Sequence, residues 1–114
     1  SGSARRSAAG FIHKRWNEYT GHGWCHTISN AMIVTAALLF GGGDYGRSIC
    51  MAVQTGFDTD CNGATTGSII GVRNGFSAIP LVWYERLNDT SIFGVGRVKL
   101  SDFAKKTVGQ AKTR

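Results

Sequence analysis

Apolar residues recur at helical spacing through most of this chain of 114 residues. Ile12, Trp16 and Tyr19 fall on one face of a predicted helix over residues 4–20, and the glycine-rich segment after it ends that helix. Residues 25–40 predict a second helix whose long apolar stripe indicates burial on most of its sides. The members of that stripe are Ile28, Met32, Thr35, Ala36 and Leu39, and Ile33 and Leu38 widen it.

Glycines and aspartates mark the ends of the predicted helices in the middle of the chain. Residues 41–43, three glycines, are the clearest break, and Asp44 follows where the N-cap of a third helix belongs. Asp58 to Asp60 are predicted as a short loop. A fourth helix covers residues 61–74, and Gly75 closes it.

The last third of the chain predicts less regular structure. Residues 81–87 fit a short fifth helix, and residues 88–100 are irregular apart from one short strand. Ser101 is predicted to cap a last helix over residues 102–109, with a frayed tail beyond it. Together the elements predict an all-α fold, a compact bundle of about five to six helices in a single domain, residues 1–114.

The formal net charge of +6 raises the question of a nucleic-acid partner. Much of the positive charge lies near the two ends, and no aromatic residues alternate with basic ones in the manner of an RNA-binding surface. Two solvated ends are therefore the better interpretation, and a nucleic-acid partner is not expected. The basic residues concerned are Arg5, Arg6, Lys14, Arg15, Lys99, Lys105, Lys106, Lys112 and Arg114.

The three cysteines show no CxxC pairing and are odd in number, which indicates a reducing compartment and hence the cytoplasm. Only Cys25 and His26 lie close in sequence, so the spacing does not indicate structural zinc. Adjacent residues of a helix point about 100° apart, which argues against a Cys25–His26 nucleophile. His26 is expected at a helix start near a cleft or in the core. No apolar run reaches the roughly 18 residues of a membrane span, so no membrane partner is expected.

Two aspartates, Asp58 and Asp60, stand one residue apart in an otherwise basic chain. Their mutual repulsion calls for compensation, and either a hard divalent cation or the start of a helix could supply it. The pattern alone does not decide between the two. The segment from Asp58 to Gly63 resembles the first half of an EF-hand calcium loop. The twelfth position of such a loop needs a bidentate glutamate, and here that position holds Ile69.

Gly63, Gly67 and Gly71 lie four residues apart and therefore on one side of the fourth predicted helix. Each glycine costs a helix about 1 kcal/mol relative to alanine, so three of them need a compensating interaction. A close contact with another helix is the favoured interpretation, and contact with a ligand is the alternative. The larger aromatic residues are likewise expected in the core rather than stacked on an adenine. They are Trp16, Tyr19, Trp24, Trp83 and Tyr84.

The run from Gly56 to Gly71, GFDTDCNGATTGSIIG, resembles the carboxy-terminal metal motif of the ADP-ribosylglycohydrolase family, which includes dinitrogenase reductase-activating glycohydrolases. Flanking segments extend the resemblance to about residues 24–108. They are the run from His26 to Leu39, Gly43-Asp44-Tyr45 with Ile49 and Val53, and the segments 93–98 and 102–104. The resemblance implies an all-helical enzyme with two Mg²⁺ ions, which hydrolyses glycosidic bonds to ADP-ribose.

Carried over residue by residue, the resemblance makes Asp58 and Asp60 metal ligands. The next position usually supplies a hydroxyl ligand, and here it is Cys61, whose softer thiol suits Mg²⁺ poorly. Thr59, Asn62 and Gly63 are the implied substrate-binding residues. Asn62 could donate to a metal-bound oxygen or cap the helix, and the sequence does not separate these roles.

The sequence departs from the family in one larger respect, because it contains no Thr-Asp-Asp cluster of amino-terminal metal ligands. We therefore expect either the carboxy-terminal part of a longer enzyme or a free-standing remnant of one, with weak or absent Mg²⁺ binding and little hydrolysis on its own. The expected partners are an ADP-ribose-type ligand and either a missing amino-terminal half or a second copy. A non-catalytic binding or oligomerisation module is the alternative function, and a basic nucleic-acid-binding domain is a weaker one.

Overall fold

The computed structural model describes residues 2–94 and 96–113 of the protein. The chain forms two compact units, one ending at Ile79 and one beginning at Pro80. The described residues contain five α-helices and one small two-stranded sheet, which confirms the helix-dominated fold class. The helices are α1 (Gly2–Arg15), α2 (Thr27–Phe40), α3 (Tyr45–Gln54), α4 (Thr59–Asn74) and α5 (Leu100–Lys112). The assignment of residues 1–114 to a single domain stays a prediction. Ser1, Val95 and Arg114 lie outside the described residues.

Helix α1 ends at Arg15, five residues before the predicted end. Beyond it, the Asn17 side chain accepts a hydrogen bond from the backbone N–H of Tyr19 at 2.8 Å, which gives that donor a partner outside a helix. Tyr19 is consequently 87% exposed, and its predicted place on the buried face is wrong. Ile12 and Trp16 are buried as predicted, in a core cluster with Ile33 of α2 and Phe57.

Helix α2 buries one narrow face, and the predicted burial on most of its sides is wrong. Ser29, Ile33 and Ala37 are buried, whereas Ile28 and Leu39 of the predicted stripe are 54% and 71% exposed. The small Ser29 and Ala37 allow neighbouring helices to approach closely, which larger side chains would prevent. The predicted stripe instead lines an open apolar groove with Ala8 and Phe11 of α1.

Helix α4 packs against α3 through its glycine side, as predicted. A Cβ on Gly63 would lie 3.0 Å from Val53 Cγ2, and one on Gly67 would lie 3.1 Å from Ile49 Cδ1. At Gly71 the nearest atom would be 3.5 Å away, an ordinary contact with Ile79. The close helix contact is therefore confirmed at Gly63 and Gly67.

The second unit contains more sheet and less helix than predicted. The predicted fifth helix over residues 81–87 is wrong, because Tyr84, with φ −132°, separates two 3-10 turns, Leu81–Trp83 and Glu85–Leu87. The sequence predicted one short strand in this region, and the structure has two. They are β1 (Thr90–Phe93) and β2 (Gly96–Lys99), which pair in antiparallel orientation.

Helix α5 begins two residues earlier and ends three residues later than predicted, and Ser101 does not cap it. Asp89 accepts hydrogen bonds from the N–H of Ser101 at 2.8 Å and from its hydroxyl at 2.6 Å. These bonds lower the pKa of the Asp89 carboxyl. Asp89, the residue before β1, therefore supplies the hydrogen-bond acceptor for the first turn of α5. None of the described helices is long and apolar enough to cross a bilayer.

We predict opposite effects for alanine at two glycines on the same side of α4. Gly71→Ala should raise the free energy of unfolding by up to about 1 kcal/mol, because alanine favours the helix and its methyl group has room. Gly67→Ala should lower it, because the methyl group would meet Ile49 Cδ1 at 3.1 Å and Tyr45 Oη at 3.3 Å. Urea unfolding measures both values. A Gly67→Ala variant more stable than Gly71→Ala would contradict the close α3–α4 contact.

Candidate metal centre

The candidate site begins with a tight backbone turn between α3 and α4. Gly56 and Phe57 both have positive φ, +87° and +62°. For a residue other than glycine this conformation costs roughly 1–2 kcal/mol. Glu18, from the segment after α1, accepts a hydrogen bond from the Phe57 N–H at 2.8 Å. The Phe57 ring is buried and lies 5.1 Å from that of His13. These two contacts hold the turn that leads into Asp58.

Asp58 occupies the N-cap position of α4, but its side chain makes no capping hydrogen bond. The other predicted cap behaves differently, since Asp44 accepts a hydrogen bond from the Arg47 N–H at 2.7 Å. Asp58 is also only 8% exposed, whereas Asp44 is exposed. Helix capping therefore explains why an aspartate stands at position 44. It does not explain why Asp58 is buried at the start of α4.

Asn30 joins the start of α4 to the first turn of α2. Its Oδ1 accepts a hydrogen bond from Asn62 Nδ2 at 2.8 Å and a longer one from the Asp58 N–H at 3.4 Å. Its own Nδ2 donates to the Trp24 carbonyl at 3.2 Å. A single amide thus connects α2, α4 and the segment before α2. The N-terminal ends of both helices meet beside Asp58.

Three potential ligand groups converge there, because one ligand atom from each of Asp58, Asp60 and Cys61 lies within 4.8 Å of the others. Asp60 belongs to the first turn of α4 and not to a loop as predicted, since the helix begins at Thr59, and Cys61 lies in the same turn, within the predicted helix. The thiol of Cys25 lies nearby and donates to Asp58 Oδ2 at 3.7 Å. We call these four residues the Asp–Cys cluster.

The pKa values in the cluster follow from the crowding of carboxylates and thiols. A hydrogen bond with the Asp58 side chain, together with the N–H groups of Asp60 and Cys61, lowers the pKa of the Asp60 carboxyl. The pKa of the Cys61 thiol is raised, first by its hydrogen bond to Asp58 and then by the negative charge there. Partial removal from water and the Asp58 charge likewise raise the pKa of Cys25. The site is therefore electronegative and favours a cation.

An open cleft of about 560 Å³ lies between α2 and α4 and includes part of the cluster. One end is polar and the other is apolar, with Val34, Leu38 and Ile69 in its walls. The polar end is lined by Cys25, Asn30, Asp58, Cys61 and Asn62. A small ligand in this cleft would therefore meet the cluster at the N-terminal ends of both helices.

The implied substrate-binding residues lie at different depths. Thr59 is half-buried at the first position of α4, next to Asp58. Asn62 is 3% exposed and contacts Asn30, so its amide connects two helices and does not cap α4. Gly63 faces Val53 of α3. Their roles toward a substrate stay predictions.

Aromatic residues beside the site form a compact group of rings. The ring centroids of Trp16, His22 and His26 lie 4.6 to 4.8 Å apart. His26 takes the N-cap position of α2, in line with the helix start that was one of the two places expected for it, but makes no capping bond with its side chain. Trp16 is in the core as expected, whereas Trp24 is 56% exposed, which overturns its core assignment.

Sequence reasoning missed Cys25, Asn30 and Glu18 as parts of this site. They are distant in sequence from Asp58, so no local spacing connects them to it. For Asn30 one signal was present, because an amide within a mostly apolar predicted helix is costly to bury without a partner. Cys25 and Glu18 carry no comparable signal.

Residues 2–114 match the family model described as ADP-ribosylglycohydrolase, a wider span than the 24–108 of the motif resemblance. The chain belongs to the ADP-ribosylglycohydrolase family. Its members are in general metal-dependent, so the Asp–Cys cluster is a candidate metal site in a family that uses one. Searches of curated proteins and of solved structures gave no match.

We predict that Glu18 stabilises the turn that presents Asp58. Glu18→Ala should lower the free energy of unfolding by about 1–3 kcal/mol, because the part-buried Phe57 N–H loses its acceptor. Glu18→Gln keeps an oxygen acceptor and should cost less. Urea unfolding measures the two variants beside Glu85→Ala, which removes an exposed glutamate elsewhere. If Glu18→Ala is as stable as Glu85→Ala, the hydrogen bond does not support the turn.

Proposed function

We propose that this chain provides the carboxylate ligands of a divalent-metal centre in an ADP-ribosylglycohydrolase-like domain. The observation that carries the proposal is the environment of Asp58. Asp58 as a residue is 8% exposed, and its side chain makes no capping bond but contacts Cys25, Asp60 and Cys61 among the described residues. None of these neighbours is positively charged. A carboxylate removed from water needs a compensating charge, which a cation supplies.

The donor set fits the family's Mg²⁺ in part. Asp58 and Asp60 offer the oxygen ligands that Mg²⁺ prefers, whereas the Cys61 thiol does not. Two carboxylates rarely form a dedicated Mg²⁺ site, because this ion keeps several waters and uses substrate phosphates as ligands. We therefore propose that Mg²⁺ binds weakly here. When bound, it would orient the ribose hydroxyls and stabilise charge that develops in hydrolysis.

The chain's own residues favour an ADP-ribose-type ligand in the cleft. The N-terminal ends of α2 and α4 meet beside Asp58, and helix N-termini favour phosphate groups. Asn30 and Asn62 fix the two ends relative to each other at 2.8 Å. The sequence holds no Thr-Asp-Asp cluster, so we propose that the remaining ligands and the general base come from outside this segment. Hydrolysis by the 114 residues alone should then be slight.

We predict that Mg²⁺ together with ADP-ribose raises the melting temperature of the chain at millimolar concentrations. Binding to the folded state stabilises it by RT ln(1 + [L]/Kd), about 2.7 kcal/mol at a hundred times Kd. Asp58→Asn, which keeps the side-chain size and removes the charge, should abolish the increase. Thermal unfolding with and without ligand measures it.

Asp102→Asn is the matched control, because it removes an exposed aspartate from the first turn of α5. It should keep the ligand-dependent increase. No increase in the original chain, or equal loss in both variants, would reject ADP-ribose binding at Asp58 and favour a non-catalytic module.

The apolar groove between α1 and α2 supports an oligomerisation role as the second candidate. The groove encloses about 460 Å³, and Phe11, Ile28 and Leu39 at its edges are 61%, 54% and 71% exposed. Contiguous apolar surface of this kind is typical of protein–protein contact sites. We propose that a second copy of the chain covers it.

Light scattering tests this second candidate. The chain should show the mass of a dimer, and Leu39→Lys should reduce that mass by placing a charge in the groove. Val72→Lys, at an 88% exposed position on α4, is the control and should leave the dimer intact. A chain that is monomeric at all concentrations would exclude the homodimer.

A further inference from the structure

The second compact unit, which begins at Pro80, exposes its apolar side chains. None of its residues whose burial the structure describes is buried. Among the exposed ones outside α5 are Leu81, Val82, Leu87 and Ile92, with exposed fractions from 51% to 71%. A unit of about 35 residues with so little hydrophobic burial needs a further contact to offset the entropy that folding costs.

Helix α5 is the longest element of this unit, and it is amphipathic although none of its residues is buried. Apolar positions recur along it at helical spacing and form a stripe on one side. The stripe consists of Leu100, Phe103, Ala104, Val108 and Ala111. Phe103 and Val108 are 57% and 53% exposed. A surface that covered this stripe would remove apolar area from water and stabilise the helix.

Lysines border the apolar stripe of α5. Lys105 and Lys112 lie beside Ala104 and Val108 around an open groove of about 410 Å³. A lysine in such a position covers apolar surface with its methylene groups and extends its ammonium group to a polar layer. The helix therefore combines an apolar stripe with positive charge along its edge.

Positive charge is concentrated in the same unit. From Pro80 to the end, the chain has seven of its thirteen basic residues and three of its seven acidic ones, so this unit contributes +4 of the net charge of +6. A second copy of the unit would bring like charges together. Charge complementarity therefore requires an anionic partner at this surface.

An anionic bilayer matches both properties of the unit. Nucleic acid would satisfy the lysines but leave the apolar stripe in water. At a bilayer surface, lipid phosphates meet the lysines while the headgroup and acyl boundary covers the stripe. Exposed apolar side chains also occur outside α5, with Val82 in a 3-10 turn and Ile92 in β1. An extended surface suits this distribution better than a groove that accepts one helix.

We propose that the second unit binds the surface of an anionic phospholipid bilayer, with α5 lying in the interface. The sequence prediction of no membrane partner rested on the absence of a membrane-spanning run, and surface binding does not require one. The proposal is independent of the metal centre, because Asp58 belongs to the first unit and α5 to the second.

Co-sedimentation of the full chain with vesicles tests the proposal. Vesicles of three parts phosphatidylcholine to one part phosphatidylserine should bind the chain, and vesicles of phosphatidylcholine alone should bind it far less. No binding to the anionic vesicles, or equal binding to both kinds, would overturn the proposal.

Paired charge variants locate the contact. Lys105→Gln combined with Lys112→Gln should lower the vesicle partition coefficient about thirtyfold, as expected for two lysines close to an anionic surface. Arg6→Gln combined with Lys14→Gln is the matched control, because it removes the same charge from exposed positions of α1. The control should bind like the original chain. An equal loss in both double variants would indicate general charge attraction and reject a contact at α5.

A second pair of variants separates a bilayer from nucleic acid. Val108→Ser should weaken vesicle binding about tenfold by removing apolar contact. Val72→Ser, at an 88% exposed position of α4, should not. If Val108→Ser binds the vesicles as tightly as the original chain, the apolar stripe does not enter the interface. Binding to a DNA duplex in place of vesicles, unchanged by Val108→Ser, would replace the bilayer with nucleic acid.

Limited proteolysis of the original chain gives a measurement that does not depend on the folding of variants. Anionic vesicles should slow cleavage by trypsin after Lys105 and Lys106 and leave cleavage after Lys14 unchanged, as read by mass spectrometry of the peptides. Equal rates at all three sites with and without vesicles would overturn the proposal.

Discussion

The hydrogen bond from the Phe57 N–H to Glu18 is the constraint on which the candidate site depends. It holds a bulky residue in a left-handed conformation that costs roughly 1–2 kcal/mol. The next residue, Asp58, is directed inward at the N-cap position of α4 but does not cap it. A relaxed turn would allow its carboxylate to reach water or the helix N–H groups. The strain at Phe57 and the burial of Asp58 are thus two results of one local geometry.

The packing of α4 determines how the site is completed. Its glycine side lets α3 approach closely, and its opposite partner, α2, is held through the Asn30–Asn62 pair. The same helix therefore carries a tight apolar contact and a polar one. Since both helices begin beside Asp58, their free N–H groups reduce the cost of negative charge there. The cleft and its electronegative end result from this packing.

The cluster combines features of two kinds of metal site. Its two carboxylates agree with the oxygen-rich centre of the ADP-ribosylglycohydrolase family, and its two thiols do not. The contact between Cys25 and Asp58 makes the difference larger than the sequence motif indicates, because the motif contains only Cys61. Membership of the family therefore makes the cluster a candidate metal site without indicating which ion it would bind.

The sequence by itself determined the helical class, the Asp44 cap, the glycine contact of α4 and the family motif around Asp58. These features depend on residues within a few positions of one another, where spacing and local chemistry suffice. Only the tertiary structure decided which face of α2 is buried, because that choice depends on the helices packed against it. It also brought Glu18, Cys25 and Asn30 to Asp58. Contacts between distant segments leave no periodic pattern, so the burial of Asp58 and the second thiol could not be predicted from the sequence.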